Sequence, residues 1–172
     1  MAHSDLVRDH VRDPERLESD YRDALETGEA DRGRVILVGR GARHLLGERP
    51  DCLHLRLVAP QAWRADRMAR WQGWSPEEAL ARCTEVDRTR GRFARYFFGE
   101  AAIQSAQYDL VVNTGRVALE TLAETVVEVV HGAAMADSRP AAAGHGRVLT
   151  LSRELGAGDR GFAPPLAERL GL

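Results

Sequence analysis

Four short runs of aliphatic and β-branched residues punctuate this chain, separated by longer polar stretches with helical spacing. The runs are residues 34–38 (Arg-Val-Ile-Leu-Val), 53–58 (Leu-His-Leu-Arg-Leu-Val), 109–113 (Asp-Leu-Val-Val-Asn) and 147–152 (Arg-Val-Leu-Thr-Leu-Ser). The first and third are almost unbroken apolar stretches, the pattern of strands covered on both faces. A helix is expected from Pro14 to about Thr27, closed by Gly28, and another over Gln61 to Trp71. Ser75-Pro76-Glu77-Glu78 combines an N-cap serine, a proline at the first helical position and an acidic first turn, so a long helix should run from there to about Phe97. Val117 to Val130 reads as a further amphipathic helix. Strands alternating with helices predict an α/β fold with a parallel sheet covered by helices.

At 172 residues the chain has the usual size of one domain. Its composition nevertheless changes late. Residues 132–146 are small, contain one proline and show no periodicity, so they read as a flexible linker. The expected organisation is therefore 1–131, a linker at 132–146, and a strand-turn-helix unit at 147–172. No apolar run reaches the length of about 18 residues that a membrane span needs, and Met1 to Arg12 is too charged for a signal peptide. A cytoplasmic protein without a membrane partner is expected. The formal net charge of -2 gives no support to nucleic-acid binding. Cys52 and Cys83 lie far apart and outside any metal-ligand spacing, so both are expected to be reduced structural thiols, and no residue is assigned to a metal.

All 24 basic residues are arginine. A phosphate loop built on the compact ammonium of lysine is excluded, whereas planar bidentate clamps on phosphate are available. Ligands of open α/β sheets gather outside the carboxyl ends of the strands. The residues there are Gly39-Arg40-Gly41, then Asn113-Thr114-Gly115-Arg116, then Ser152-Arg153-Glu154-Leu155-Gly156-Ala157-Gly158-Asp159-Arg160-Gly161. Each glycine turn taken alone is also ordinary structural punctuation. On the long helix, Asp87 and Arg90 are three apart and share a face, with Cys83 one turn earlier. Arg88, Arg90, Arg92 and Arg95 read either as a solvated face or as an arginine lid over phosphates. Arg64, Arg67 and Arg70 read as a solvated stripe, and the tryptophans and Tyr96-Phe97-Phe98 as packing residues. His54 and His145 have no partners in local sequence and receive no catalytic role.

Taken jointly and in this order, residues 35–42, 50–60, 75–79, 85–90 and 108–116 resemble the cytidylate kinase-like family of nucleoside monophosphate kinases. The resemblance implies a phosphate-loop kinase fold, ATP and Mg2+ as cofactors, and nucleotide substrates. It also implies transfer of the terminal ATP phosphate to a nucleoside monophosphate such as CMP. Arg40, with Gly39 and Gly41 around it, matches the arginine of a Gly-Arg-Asp that holds the acceptor phosphate, although Gly41 replaces the aspartate. Asp87 and Arg90 match an Asp-x-x-Arg of the lid, whose aspartate places the acceptor and whose arginine meets phosphate. Cys83 stands where a clamp arginine is usual.

Residues 148–158 with 166–172 resemble the opening phosphate-loop unit of the same family, which should precede the rest. In that unit Ser152, Arg153, Gly156, Ala157, Gly158 and Arg160 would meet the donor phosphates. Asp159 stands where a Walker lysine would be, and Pro164 and Pro165 lack N–H groups that a first helical turn offers to anions. The expected account is a piece of a tandem protein, with 147–172 opening a second kinase-like domain. The alternative is a permuted chain whose last strand inserts beside the first. The resemblance leaves the family's second strand and much of its acceptor-binding helical region without a counterpart. The rival function is a catalytically degenerate nucleotide-binding or regulatory module, or an inactive fragment prone to strand exchange between copies.

Overall fold

The computed structural model describes residues 35–39, 41–47, 49, 52–132, 148–158 and 162–170. The helix expected over 14–27, Arg40, residues 133–146 of the expected linker with His145, Arg147, and Asp159 to Gly161 lie outside the described residues. In chain order the elements are β1 (Val35–Val38), α1 (Ala42–Leu46), β2 (Cys52–Val58), α2 (Gln61–Gln72) and α3 (Pro76–Phe98). Two 3-10 turns, Glu100–Ile103 and Ser105–Gln107, lead into β3 (Leu110–Asn113), α4 (Leu119–Gly132), β4 (Val148–Arg153) and α5 (Ala163–Leu170). The start signal of α3 works as the sequence implies. Ser75 Oγ accepts the Glu78 N–H at 3.1 Å and Pro76 opens the helix, while Gly99 follows its end.

The four strands form one parallel sheet in the order β1-β4-β2-β3. The C-terminal strand therefore lies between β1 and β2, with Val148 opposite both Val35 and Cys52. On one face, Leu53, Leu55 and Leu57 of β2 and Leu149 and Leu151 of β4 pack with Leu122 and Val126 of α4 and Leu166 of α5. On the other, Leu46 of α1 packs with Cys52 and Val148. Helices α2 and α3 pack on each other through Ala65, Met68, Ala79 and Cys83. Cys52 and Cys83 are both buried and free.

The two most apolar runs, β1 and β3, turn out to be the outer strands of this sheet, and Val111 of β3 is exposed. The inner strands β2 and β4 carry the polar residues. These are tolerated because they partner across strands. His54 and Thr150 stand opposite each other, with His54 Nδ1 2.7 Å from the Thr150 hydroxyl and Nε2 donating to the Gly47 carbonyl at 2.9 Å. Local sequence hid this partner, which is 96 residues away.

His44 stacks on Phe98 with ring centroids 4.6 Å apart, joining α1 to the end of α3. Burial, then the charges of Arg43 and His54, push its pKa below the ordinary 6.5 despite an opposing hydrogen bond at Ala102. A histidine whose folded pKa is depressed favours the fold in its neutral form. Its contribution is complete above the unfolded value and is lost as pH falls through 6.5 toward the lower folded pKa. The thermal midpoint should thus fall between pH 7.5 and 5.5, and His44→Phe, which keeps the stack, should flatten that slope. An identical slope in both proteins would show that His44 is not its source.

Candidate active site

The carboxyl ends of all four strands lie along one edge of the parallel sheet, and the loop after β4 sits at its centre because β4 is an inner strand. Gly39 and Gly41 follow β1 beside it, with Gly39 N–H donating to the Leu151 carbonyl at 3.0 Å. After β3, the Thr114 hydroxyl donates to the Ala157 carbonyl, and Thr114 N–H donates to Val58 O at 2.9 Å. These bonds fasten the loops after β1, β2 and β3 to β4 and its loop.

That loop, Glu154 to Gly158, turns tightly. Ala157 N–H donates to the Glu154 carbonyl at 3.1 Å, and Gly156 has φ +82°. Gly156 lies against α2, where an added Cβ would stand 2.9 Å from the Arg64 carbonyl. Gly158 is as closely packed, since a Cβ there would be 3.0 Å from Leu57 Cδ1 and 3.4 Å from Arg153 Cδ. The Leu155 side chain enters the α2–α3 cluster beside Met68 and Cys83.

Arg64 corrects the stripe reading of α2. It is 3% exposed, whereas Arg70 is well exposed and pairs with Asp66 at the surface. Residues three apart on a helix drift by about 60° per step, so Arg64 and Arg70 lie about 120° apart and share no face. Arg64 faces α3 and the loop after β4. Its Nη2 and Nη1 donate to Asp87 Oδ2 and Oδ1 at 2.7 and 3.1 Å, and Nη1 also donates to Leu155 O at 3.2 Å. Nε donates to Ala59 O at 2.9 Å and lies 3.3 Å from Glu154 Oε2, which also accepts Ala59 N–H at 3.2 Å. Burial opposes the Arg64 charge, but the hydrogen bonds to Asp87 and the charges of Glu154 and Asp87 outweigh it and hold its pKa above the ordinary value. Burial, with a smaller contribution from Asp87, also pushes the Cys83 thiol up against the opposing Arg64 charge. Cys83 is therefore a neutral packing residue.

The structure brings most of the candidate residues together. Arg90 reaches from α3 to the Arg153 carbonyl at the end of β4. Ser152, Arg153, Gly156, Ala157 and Gly158 follow one another along β4 and its loop, and Asp87 joins them through Arg64. Arg40 and Arg160 lie outside the described residues. Among the described residues no group of three or more His, Cys, Asp or Glu side chains is arranged to hold a metal ion. Helix α5 begins at Ala163, so Pro164 and Pro165 do fall in its first turn and remove N–H donors there. Sequence reading passed over Arg64 and Glu154. The available signal was the helical spacing of Arg64 with buried Met68 four residues on.

A family model described as the cytidylate kinase-like family matches residues 2–116. The chain belongs to that family. The matched span holds β1, β2, β3 and helices α1 to α3, and ends before β4 and its loop. Cytidylate kinase of Methanopyrus kandleri is 33% identical over 95 residues, 51% of this chain and 49% of that protein. Cytidylate kinase of Ignicoccus hospitalis is 32% identical over 117 residues, 67% of this chain and 66% of that protein. A uronate isomerase of Corynebacterium glutamicum is 29% identical over 127 residues, 74% of this chain but 22% of that protein. The chain thus spans between about a fifth and two thirds of these relatives. No solved structure matches it. Family and relatives together support a nucleotide kinase-like function, and no helix among the described residues is long and apolar enough to cross a membrane.

Proposed function

We propose that this protein is a nucleoside monophosphate kinase acting in the cytoplasm, moving the terminal phosphate of ATP onto a nucleoside monophosphate such as CMP. The observation that carries the reading is the position of the loop after β4. It lies at the centre of the sheet's carboxyl edge, with Arg90 of α3 fixed on Arg153, the last residue of β4. In this reading residues 148–172 serve the same site as residues 35–132. Gly156, Ala157 and Gly158 form the turn on the donor side, with Ser152, Arg153 and Arg160 beside the donor phosphates. Arg40 holds the acceptor phosphate, and Arg90 offsets the charge that spreads over the transferring group. Magnesium arrives on the nucleotide, as suits an ion that retains waters and takes few protein ligands. Bound there, it would supply charge neutralisation for the donor phosphates.

The test is a coupled phosphotransfer assay with ATP, magnesium and a panel of nucleoside monophosphates. The parent should form product with at least one acceptor. Arg90→Ala should lower kcat by about 100-fold or more, the size of effect seen when one donor to a developing charge is removed. Arg40→Ala should act mainly on the acceptor KM. Silence of a folded parent across the panel would favour the second reading, a degenerate nucleotide-binding module. Two structural features support that alternative: Cys83 is buried in the α2–α3 packing instead of supplying an arginine, and the first turn of α5 carries paired prolines.

A further inference from the structure

We infer that Asp87 and Arg64 form a latch between α3 and the phosphate loop, so that Asp87 governs the donor side of the site through Arg64. The inference rests on the nucleotide-binding reading above for its ligand, but not for its geometry. Both Asp87 oxygens are taken by the two terminal nitrogens of one buried guanidinium. A bidentate pair of this kind fixes angle as well as distance. The same Nη1 also holds the Leu155 carbonyl, and Nε sits between Ala59 O and the Glu154 carboxylate. Residues 154 and 155 are thus tied to α3 by one side chain, while Gly156 rests directly on the Arg64 backbone.

The balance of charge makes the tie directional. Glu154 and Asp87 would repel each other and any phosphate if Arg64 turned away. With Arg64 held by Asp87, both carboxylates face a cation, and the loop keeps a single shape. Asp87 acts on the loop through Arg64, which takes both of its carboxylate oxygens. It is a positioning residue. If α3 moves as a lid, release of Asp87 would loosen Leu155 and the turn at Gly156 at the same time.

Amide hydrogen exchange on the ligand-free full chain reads this coupling, because Ala157 N–H is bonded inside the loop. Asp87→Asn should raise exchange across residues 154–158 about tenfold while leaving α4 unchanged. In an Arg64→Met background the same change should add less than about twofold, since contacting residues couple and the path is already cut. If Arg64→Met does not fold, Arg64→Lys replaces it. A lone ammonium cannot hold Asp87 bidentately and Leu155 O together, so Asp87→Asn should again add little. Loop exchange unchanged by Asp87→Asn, or raised equally in both backgrounds, would overturn the latch. Calorimetric titration with ATP and no acceptor gives an independent arm. Asp87→Asn should weaken ATP about five- to tenfold, and an unaltered ATP affinity with a raised acceptor KM would assign Asp87 to the acceptor instead. A parent that binds no ATP defeats the functional reading, while the exchange result still decides the latch.

Discussion

Arg64→Met is expected to destabilise the protein by about 3–5 kcal/mol, the usual effect of removing one partner of a buried ion pair. The magnitude follows from what the substitution leaves behind. Methionine matches much of the arginine stem, so the loss of packing is small. The cost lies in Asp87, Glu154 and the Ala59 and Leu155 carbonyls, which lose a common partner at a site where Arg64 is 3% exposed. A buried acceptor stripped of its donor costs about 1–3 kcal/mol, and more when charged. The exposed pair of Arg70 and Asp66, although equally short at 2.7 Å, provides the control. Arg70→Met should change stability by under about 1 kcal/mol, because exposed pairs are screened and mobile. Urea unfolding of the two variants measures the contrast. Equal, small losses would mean that water reaches Arg64 and that the guanidinium is not the fastening described.

The pattern of apolar runs gave away the strands, the long helix and the parallel sheet because each depends on local spacing and short-range signals. Ser75, Pro76 and Gly99 mark the ends of α3 by interactions within a few residues, so their effect is legible in one line of sequence. The carboxyl-edge rule then located Gly39, Gly41, Arg153 and Gly156 to Gly158 without any coordinates. What stayed hidden depends on residues distant in the chain. The order β1-β4-β2-β3 places the most apolar runs outside and pairs His54 with Thr150. No periodicity encodes a partner 96 positions away. Arg64 was obscured for a different reason. A charged residue among other arginines looks solvated, and its burial shows only when Asp87 and Glu154 arrive from other elements to neutralise it. The family likeness over residues 2–116 adds a kinase-like function to this picture, yet it ends before β4 and its loop. The case for residues 148–158 therefore rests on their place in the sheet.

Gly156→Ala should be the most damaging single-atom addition in that loop, costing about 2–6 kcal/mol. Two effects combine. At φ +82° an L-residue is strained by about 1–3 kcal/mol. The new methyl would also stand 2.9 Å from Arg64 O, 3.1 Å from Arg64 Cβ and 3.2 Å from Met68 Cγ. The nearest of these is backbone inside α2 and cannot yield without disturbing the helix, so overpacking adds about 1–3 kcal/mol. Gly73, which ends α2, separates the two contributions. Its φ of +70° and ψ of +23° are left-handed, but nothing lies within 4 Å of an added Cβ. Gly73→Ala should consequently cost only about 1–2 kcal/mol, the conformational part alone. Because Gly156 rests on the residue that holds Asp87 and Leu155, the alanine variant should also lose ATP affinity, whereas Gly73→Ala should keep it. Denaturant midpoints and ATP titrations of the pair test both parts. If the two variants lost equal stability and bound ATP alike, the close approach of the loop to Arg64 would have no energetic weight.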